Sequence, residues 1–470
     1  MAAIPMLARL VSGFRANLVP HRVFLWCGLL GGLVFVFLVP PFWVADEPSH
    51  FRRAYDVSRG HLWPEVVHTS PGGAYTSGTV GAELPRSLLT LEHELPAGPG
   101  ATSQPATILR AFRYPLAPDD RLFVDFRGTA WSPFLPYAAP ALAIAVGRWC
   151  GAGPLLLLYL GRLANLLASS LLIALAIRRF PTGRWVQMLI ALTPMAITLR
   201  ASLSADAAAF TAACVFVGLV AAASSGSRPL RGGDLAALIG AAAALALTKL
   251  PYIPLLLLPL SIPAERFSAP SRRRFLMSYG AIALAAVLFS IVCWQRIPVA
   301  MRPDVDPAVQ MHSLVAHPLS VLQVLARDVA QSWQLYLMEA MGALLGWLDI
   351  GVSPVIIYAD LFLIVLMLLL DAEASGLPSS RQRWLLLISV TTVAFLVLVS
   401  QYVSWTEPGH DLQGVQGRYF LPIAPAAALL LQPRFLAGRR SLADAGPWLA
   451  AITATLFVFV FLAVIDRCYH

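Results

Sequence analysis

The sequence predicts an all-α polytopic membrane protein, a helical bundle of about 11–13 transmembrane helices with a long first external loop. Three observations lead there. The 470 residues are 58% hydrophobic and only 13% charged, where a soluble domain carries about 25% charged residues. Apolar runs of about 20 residues recur along the chain, the length a helix needs to cross ~30 Å of hydrocarbon. These runs are continuously apolar and do not alternate, which excludes a membrane β-barrel. A soluble enzyme is excluded with them. The net charge of +9 is no nucleic-acid footprint, because the basic residues lie mainly between apolar runs, where they set orientation. The five cysteines (Cys27, Cys150, Cys214, Cys293, Cys468) contain no CxxC pair and indicate neither a disulfide framework nor a metal site. Thirty-three of the 34 basic residues are arginine, and Lys249 is the only lysine. A drift toward arginine would have replaced a lysine wherever either cation served, so Lys249 invites a functional reading.

Six segments follow in order. Residues 1–22, with Arg9, Arg15, His21 and Arg22, form a cytoplasmic N-terminus. Residues 23–42 are the first transmembrane helix, too long for a signal-peptide core and followed by no small-residue cleavage site. In 43–130 the apolar density collapses, and Pro and Gly become frequent, as at Pro71-Gly72-Gly73. This external loop begins with a juxtamembrane helix: Asp46 or Glu47 as N-cap, Pro48 in the first turn, and Phe51, Ala54 and Tyr55 on one face. A core transmembrane bundle occupies 131–318. An external interfacial segment occupies 319–353, where Arg327, Asp328, Glu339 and Asp349 lower the apolar density. A C-terminal transmembrane bundle fills 354–470.

Arginine-rich connections at 178–184, 228–231, 266–274, 381–383 and 434–440 fall in the cytoplasm by the positive-inside rule, and the C-terminus falls outside. Parity then requires an odd number of crossings between Trp131 and Arg178. The stretch from Trp131 to Trp149, interrupted by Pro133, Pro136 and Pro140, is re-entrant or hides further crossings.

With that topology the unusual polar residues converge on the outer face: Asp46 through Tyr55, Arg200 to Asp206, Lys249 to Tyr252, Gly346 to Asp349, and Gln416 to Tyr419. Ionisable groups at one membrane face point to a site. An acidic pair at a bilayer exit, Asp46-Glu47, can hold a divalent cation (Mg or Mn) or take a proton from an attacking hydroxyl; capping before Pro48 is the plain alternative. His50 and Arg53 stand at i,i+3 on one face that could carry an anion, or simply meet lipid headgroups. Asp206 caps the helix after it or joins Arg200 in the site. Lys249 interrupts a 28-residue apolar stretch just before Pro251 and Pro254; a cation at such a break is a natural phosphate ligand, with snorkelling as its alternative. Tyr252, Asp349, Gln416, Arg418 and Tyr419 complete the candidate binding set. Arg162 and Asn165, deep in an apolar run, are an interhelical hydrogen-bonding pair or part of the site.

The segments ADEPSHFRRAYDVSRG, PMAITLRASLSAD, LTKLPYIPL, GALLGWLD and GVQGRYFLPIAP, in that order, resemble the bacterial multi-pass membrane family called domain of unknown function 2142. The likeness runs from about Phe42 to the last span, and nothing is matched between His61 and Asp125. That family in turn resembles the GT-C fold class of membrane glycosyltransferases, which take sugar from polyprenyl-phosphate carriers and place an acidic residue in the first external loop. The resemblance implies a GT-C-like bundle in the bacterial cytoplasmic membrane, with Asp46, and with it Glu47, as the catalytic acidic position. Arg200 and Asp206 would match an Arg…Asp pair of that class. The implied partners are a lipid-linked sugar donor, a polysaccharide, lipid or protein acceptor, and membrane lipids. A transporter or flippase of a lipid-linked polysaccharide intermediate is the alternative function; a non-catalytic scaffold is a third.

Overall fold

The computed structural model describes residues 18–67, 79–268, 271–297, 301–302, 304–438, 442 and 445–470. Arg9, Arg15, the Pro71-Gly72-Gly73 stretch and the Arg439-Arg440 pair lie outside these residues. The fold is an all-α membrane bundle. Among the described residues six helices are long and apolar enough to cross a bilayer: α1 (Pro20–Leu38), α6 (Pro154–Arg179), α9 (Ala205–Ser225), α11 (Ser271–Gln295), α15 (Ser380–Ser404) and α17 (Ala445–Tyr469). The expectation of about 11–13 crossings assumed one continuous helix per apolar run. Proline divides several of those runs. Pro194 splits one into α7 (Arg184–Ala191) and α8 (Pro194–Arg200). The run after Lys249, holding Pro251, Pro254 and Pro259, becomes a 3-10 segment, Leu250–Ser261, because proline removes i→i−4 donors. Shorter apolar helices α10 (Gly232–Ala246) and α14 (Pro354–Leu370), and the 3-10 segment Gly417–Ile423 continuing into α16 (Ala424–Leu431), fill the rest of the bundle.

The stretch after Trp131 is short helical: α5 (Ala138–Trp149) has 12 residues, about 18 Å and too short to cross alone. It packs beside α6, so only α6 needs to cross there. The first long loop holds more than a juxtamembrane helix. α2 (Glu47–Ser58) leads into a three-stranded antiparallel sheet, β1 (Glu65–Val67), β2 (Thr79–Pro85) and β3 (Arg121–Asp125), with α3 (Arg86–Glu94) and α4 (Pro105–Ala111) between β2 and β3. Val80, Ala82 and Leu84 alternate into a core shared with Leu88 and Leu91 of α3. α12 (Pro307–Ala316) and α13 (Pro318–Met341) then lead into the hairpin β4 (Leu344–Leu345) and β5 (Ile350–Gly351).

The two ends of the bundle differ in kind. At one end the arginine-bearing connections meet: Arg266 bonds the carbonyls of Ala223 and Arg228, Arg383 those of Leu430 and Gln432, and Arg434 that of Pro378. At the other end α1 finishes, α9 begins, and the small sheet caps the bundle.

Candidate active site

The site begins where α1 stops. Pro40 and Pro41 end the helix, and the chain turns through two left-handed residues, Phe42 (φ 69°) and Asp46 (φ 65°). That conformation costs a side chain about 1–2 kcal/mol, so it persists only where surrounding contacts fix it. Here they do. Glu47 accepts the Phe42 amide at 3.0 Å and the Leu203 amide at 3.1 Å. Arg162 of α6 donates to both Glu47 oxygens, at 2.8 and 2.5 Å. The same guanidinium takes the carbonyls of Val36, Val39 and Pro40, acceptors left open at the end of α1. Gly346 accepts the Ala45 amide, and the Trp347 indole donates to the Phe42 carbonyl. Asp46 stands at the N-cap position of α2, yet its side chain accepts no cap hydrogen bond. It is free to face elsewhere.

It faces Arg418. The Arg418 Nη2 lies 2.6 Å from Asp46 Oδ2, and its Nε lies 3.6 Å from Asp206 Oδ2 without a hydrogen-bond partner. Arg418 is placed by Gly417, whose amide donates to Glu339 at 2.7 Å. A Cβ at Gly417 would come within 2.1 Å of the Tyr336 carbonyl on α13, so only glycine seats the segment there. Asp206, in the first turn of α9 after the Ser204 cap, pairs with Lys249, the N-cap residue of the 3-10 segment. Lys249 Nζ also sits 5.2 Å over the Tyr419 ring, and the Arg418 guanidinium 5.4 Å from it. The Tyr252 hydroxyl donates to the Tyr419 carbonyl at 3.1 Å. His50, one turn along α2, holds the Tyr137 hydroxyl at 2.9 Å.

The result is an alternating cluster of two carboxylates and two cations drawn from four distant parts of the chain. Asp206 and Arg418 are sealed (5% exposed each), Lys249 is 30% exposed, and Asp46 is the open carboxylate at 48%. Burial pushes the Asp46 carboxyl up, but the adjacent Arg418 outweighs it and holds the group below the usual carboxylate range. Burial drives His50 down to about 4, so its imidazole is neutral at pH 7.

Several expected site residues lie elsewhere. Glu47 is fully buried and its oxygens are taken by Arg162 and two amides, so it is an anchor and has no free oxygen for a metal. Asp46 is then the one half-exposed carboxylate of the cluster, and among the described residues no group of three or more His, Cys, Asp or Glu is disposed to hold a metal ion. The donor set does not fit the divalent cation expected from the sequence. Arg53 spends its charge on Asp56 at 2.9 Å and on the Leu62 carbonyl, outside the Asp46 cluster. Arg200 lies deep in the bundle, over the Phe24 ring, donating to Ser170 and to the Ala191 carbonyl freed by the α7–α8 break. Asp349 pairs with Arg467 of α17. Gln416 precedes Arg418, its Oε1 buried without a partner. Arg162 and Asn165 have separate tasks: Asn165 holds the Ser202 carbonyl at 2.7 Å. Tyr137 and Glu339 were not anticipated; a tyrosine beside Pro136, and an acid on an otherwise apolar helix face, were the available signals.

The family model described as "Predicted membrane protein (DUF2142)" matches residues 29–427, and the chain belongs to that family. No curated protein and no solved structure matches it.

Proposed function

We propose that the protein is an integral-membrane glycosyltransferase that moves a sugar from a polyprenyl-phosphate donor to a cell-envelope acceptor on the outer face of the bacterial cytoplasmic membrane. The observation that carries this reading is the contact of the half-exposed Asp46 carboxylate with the buried Arg418, beside the Lys249–Asp206 pair. A base and two cations are what such a transfer needs. The acceptor hydroxyl oxygen attacks the anomeric carbon, the bond from that carbon to the phosphate oxygen breaks with its electron pair leaving on phosphate, and the hydroxyl proton passes to Asp46. Attack opposite the leaving group inverts configuration. Arg418 and Lys249 stabilise the charge that develops on the leaving phosphate. Arg418 has a second task. As the phosphate draws its guanidinium, Asp46 loses its counter-ion and its affinity for a proton rises when the proton arrives.

The test is turnover of a synthetic polyprenyl-phosphate sugar by the purified protein in nanodiscs. The wild type is expected to release polyprenyl phosphate, and Asp46→Asn to release about 10²–10⁴-fold less while accumulating normally. One observation favours the transporter instead: Asp360, buried within α14, has an oxygen with no hydrogen-bond partner. Asp360→Asn leaves a transferase active. If that variant instead stops movement of a lipid-linked saccharide between vesicle leaflets, the transporter reading stands.

A further inference from the structure

A second site lies apart from the Asp46 cluster. A cavity of about 800 Å³ opens between the cap, the β4–β5 turn and the end of α17. Its lining is divided. Thr102, Asp349, Asp466 and Arg467 form a polar side, and Ile356, Phe459 and Ala463 an apolar one. The apolar side continues into Val355, Phe362 and Leu462, large side chains exposed along α14 and α17, which a membrane protein turns to lipid. A cavity apolar toward the bilayer and polar toward the cap fits an amphiphile whose chain stays in lipid and whose head enters the protein.

The charges select the head. Arg467 and His470 are the basic residues of the lining, and the Arg467 donors already serve Asp349 at 2.6 Å and the carbonyls of Ala101 and Gly98 at 3.0 and 3.3 Å. Its guanidinium rests 5.1 Å over the Trp43 ring. Asp466 adds a second carboxylate at the exposed rim. Asp349 and Arg467 offset one another, so the group this wall adds beyond that pair is the exposed Asp466 carboxylate beside His470; no uncommitted guanidinium is offered to a phosphate, and carboxylate oxygens are offered to hydroxyl groups. We infer that this cavity binds the uncharged, hydroxyl-rich glycosyl head of a membrane amphiphile. Trp43 is three residues from Asp46, a backbone distance of at most about 11 Å, so on the transferase reading the cavity is the place of the acceptor sugar. The binding itself needs no turnover.

The experiment uses the full-length protein in phosphatidylcholine nanodiscs and an alkyl glucoside carrying a diazirine in its chain. Photolabelling is expected on α17 between Phe459 and Ala463, competed by unlabelled alkyl glucoside at least 10-fold better than by an alkyl phosphate. Asp466→Lys, at an exposed position that folding tolerates, and Ala463→Trp, which fills the apolar side, should each lower labelling at least 10-fold. Asp46→Asn should leave it intact. Equal competition by the alkyl phosphate, labelling unchanged in both cavity variants, or labelling lost in Asp46→Asn overturns the inference. A loss of sugar transfer in Asp46→Asn with labelling intact tests the transferase reading separately.

Discussion

Asp46 and Glu47 are neighbours in sequence, each meets an arginine, and the two pairs have opposite characters. Glu47 and Arg162 are both 0% exposed, and every donor and acceptor they turn inward is met. Asp46 is 48% exposed, and Arg418 opposite it keeps a buried Nε without a partner. A saturated ion pair stabilises a particular geometry and has nothing left for a ligand. An unsaturated one retains capacity. The closed pair holds the strained turn on which the open pair depends, so the rigidity of one is the precondition for the availability of the other.

The contrast can be broken at several points. The largest effect is expected from Asp46→Asn: loss of the base should lower transfer by about 10²–10⁴-fold with thermal stability nearly unchanged, as followed by product release and by scanning fluorimetry on one preparation. Arg162→Ala should do the reverse. It leaves Glu47 buried and unpaired, at a cost of about 3–5 kcal/mol, so the variant should accumulate poorly or melt early in detergent. Normal melting with lost transfer would make Arg162 a member of the reacting set and erase the distinction. Lys249→Ala should lower transfer by about 10²-fold, with the loss concentrated in the apparent affinity for the lipid donor; equal loss for donor and acceptor would argue against a phosphate role. The smallest effect concerns His50. Its pKa is depressed when folded, so it contributes stability that is present above about pH 6.5 and lost as pH falls toward 4. Once the pH is below both values, the stability lost is on the order of 3 kcal/mol. His50→Gln should flatten the pH dependence of melting across that window, and an unchanged slope would assign the acid sensitivity to other groups.

The bundle was legible because its apolar runs are long and several are separated by arginine-rich connections. The residues that meet at the Asp46 cluster were nameable for the same reason: each interrupts an apolar pattern at the end of a run. Their pairing was not. Glu47 and Arg162 are 115 positions apart, and nothing local distinguishes the acid that finds a buried arginine from its neighbour that does not. Arg200 looked like Lys249, a cation at a span boundary, but it serves carbonyls released by the break before Pro194. The small sheet was missed because its strands have three, seven and five residues, lie far apart in sequence, and carry Pro and Gly between and within them.

Lys249 has one more consequence. In a chain with a single lysine, an amine-selective reagent acylates one side chain beyond the α-amino group. That side chain stands at the centre of the cluster, partly open and tethered to Asp206. Its labelling rate is therefore a direct gauge of whether the site is empty or filled, available without a known substrate and without a purified product.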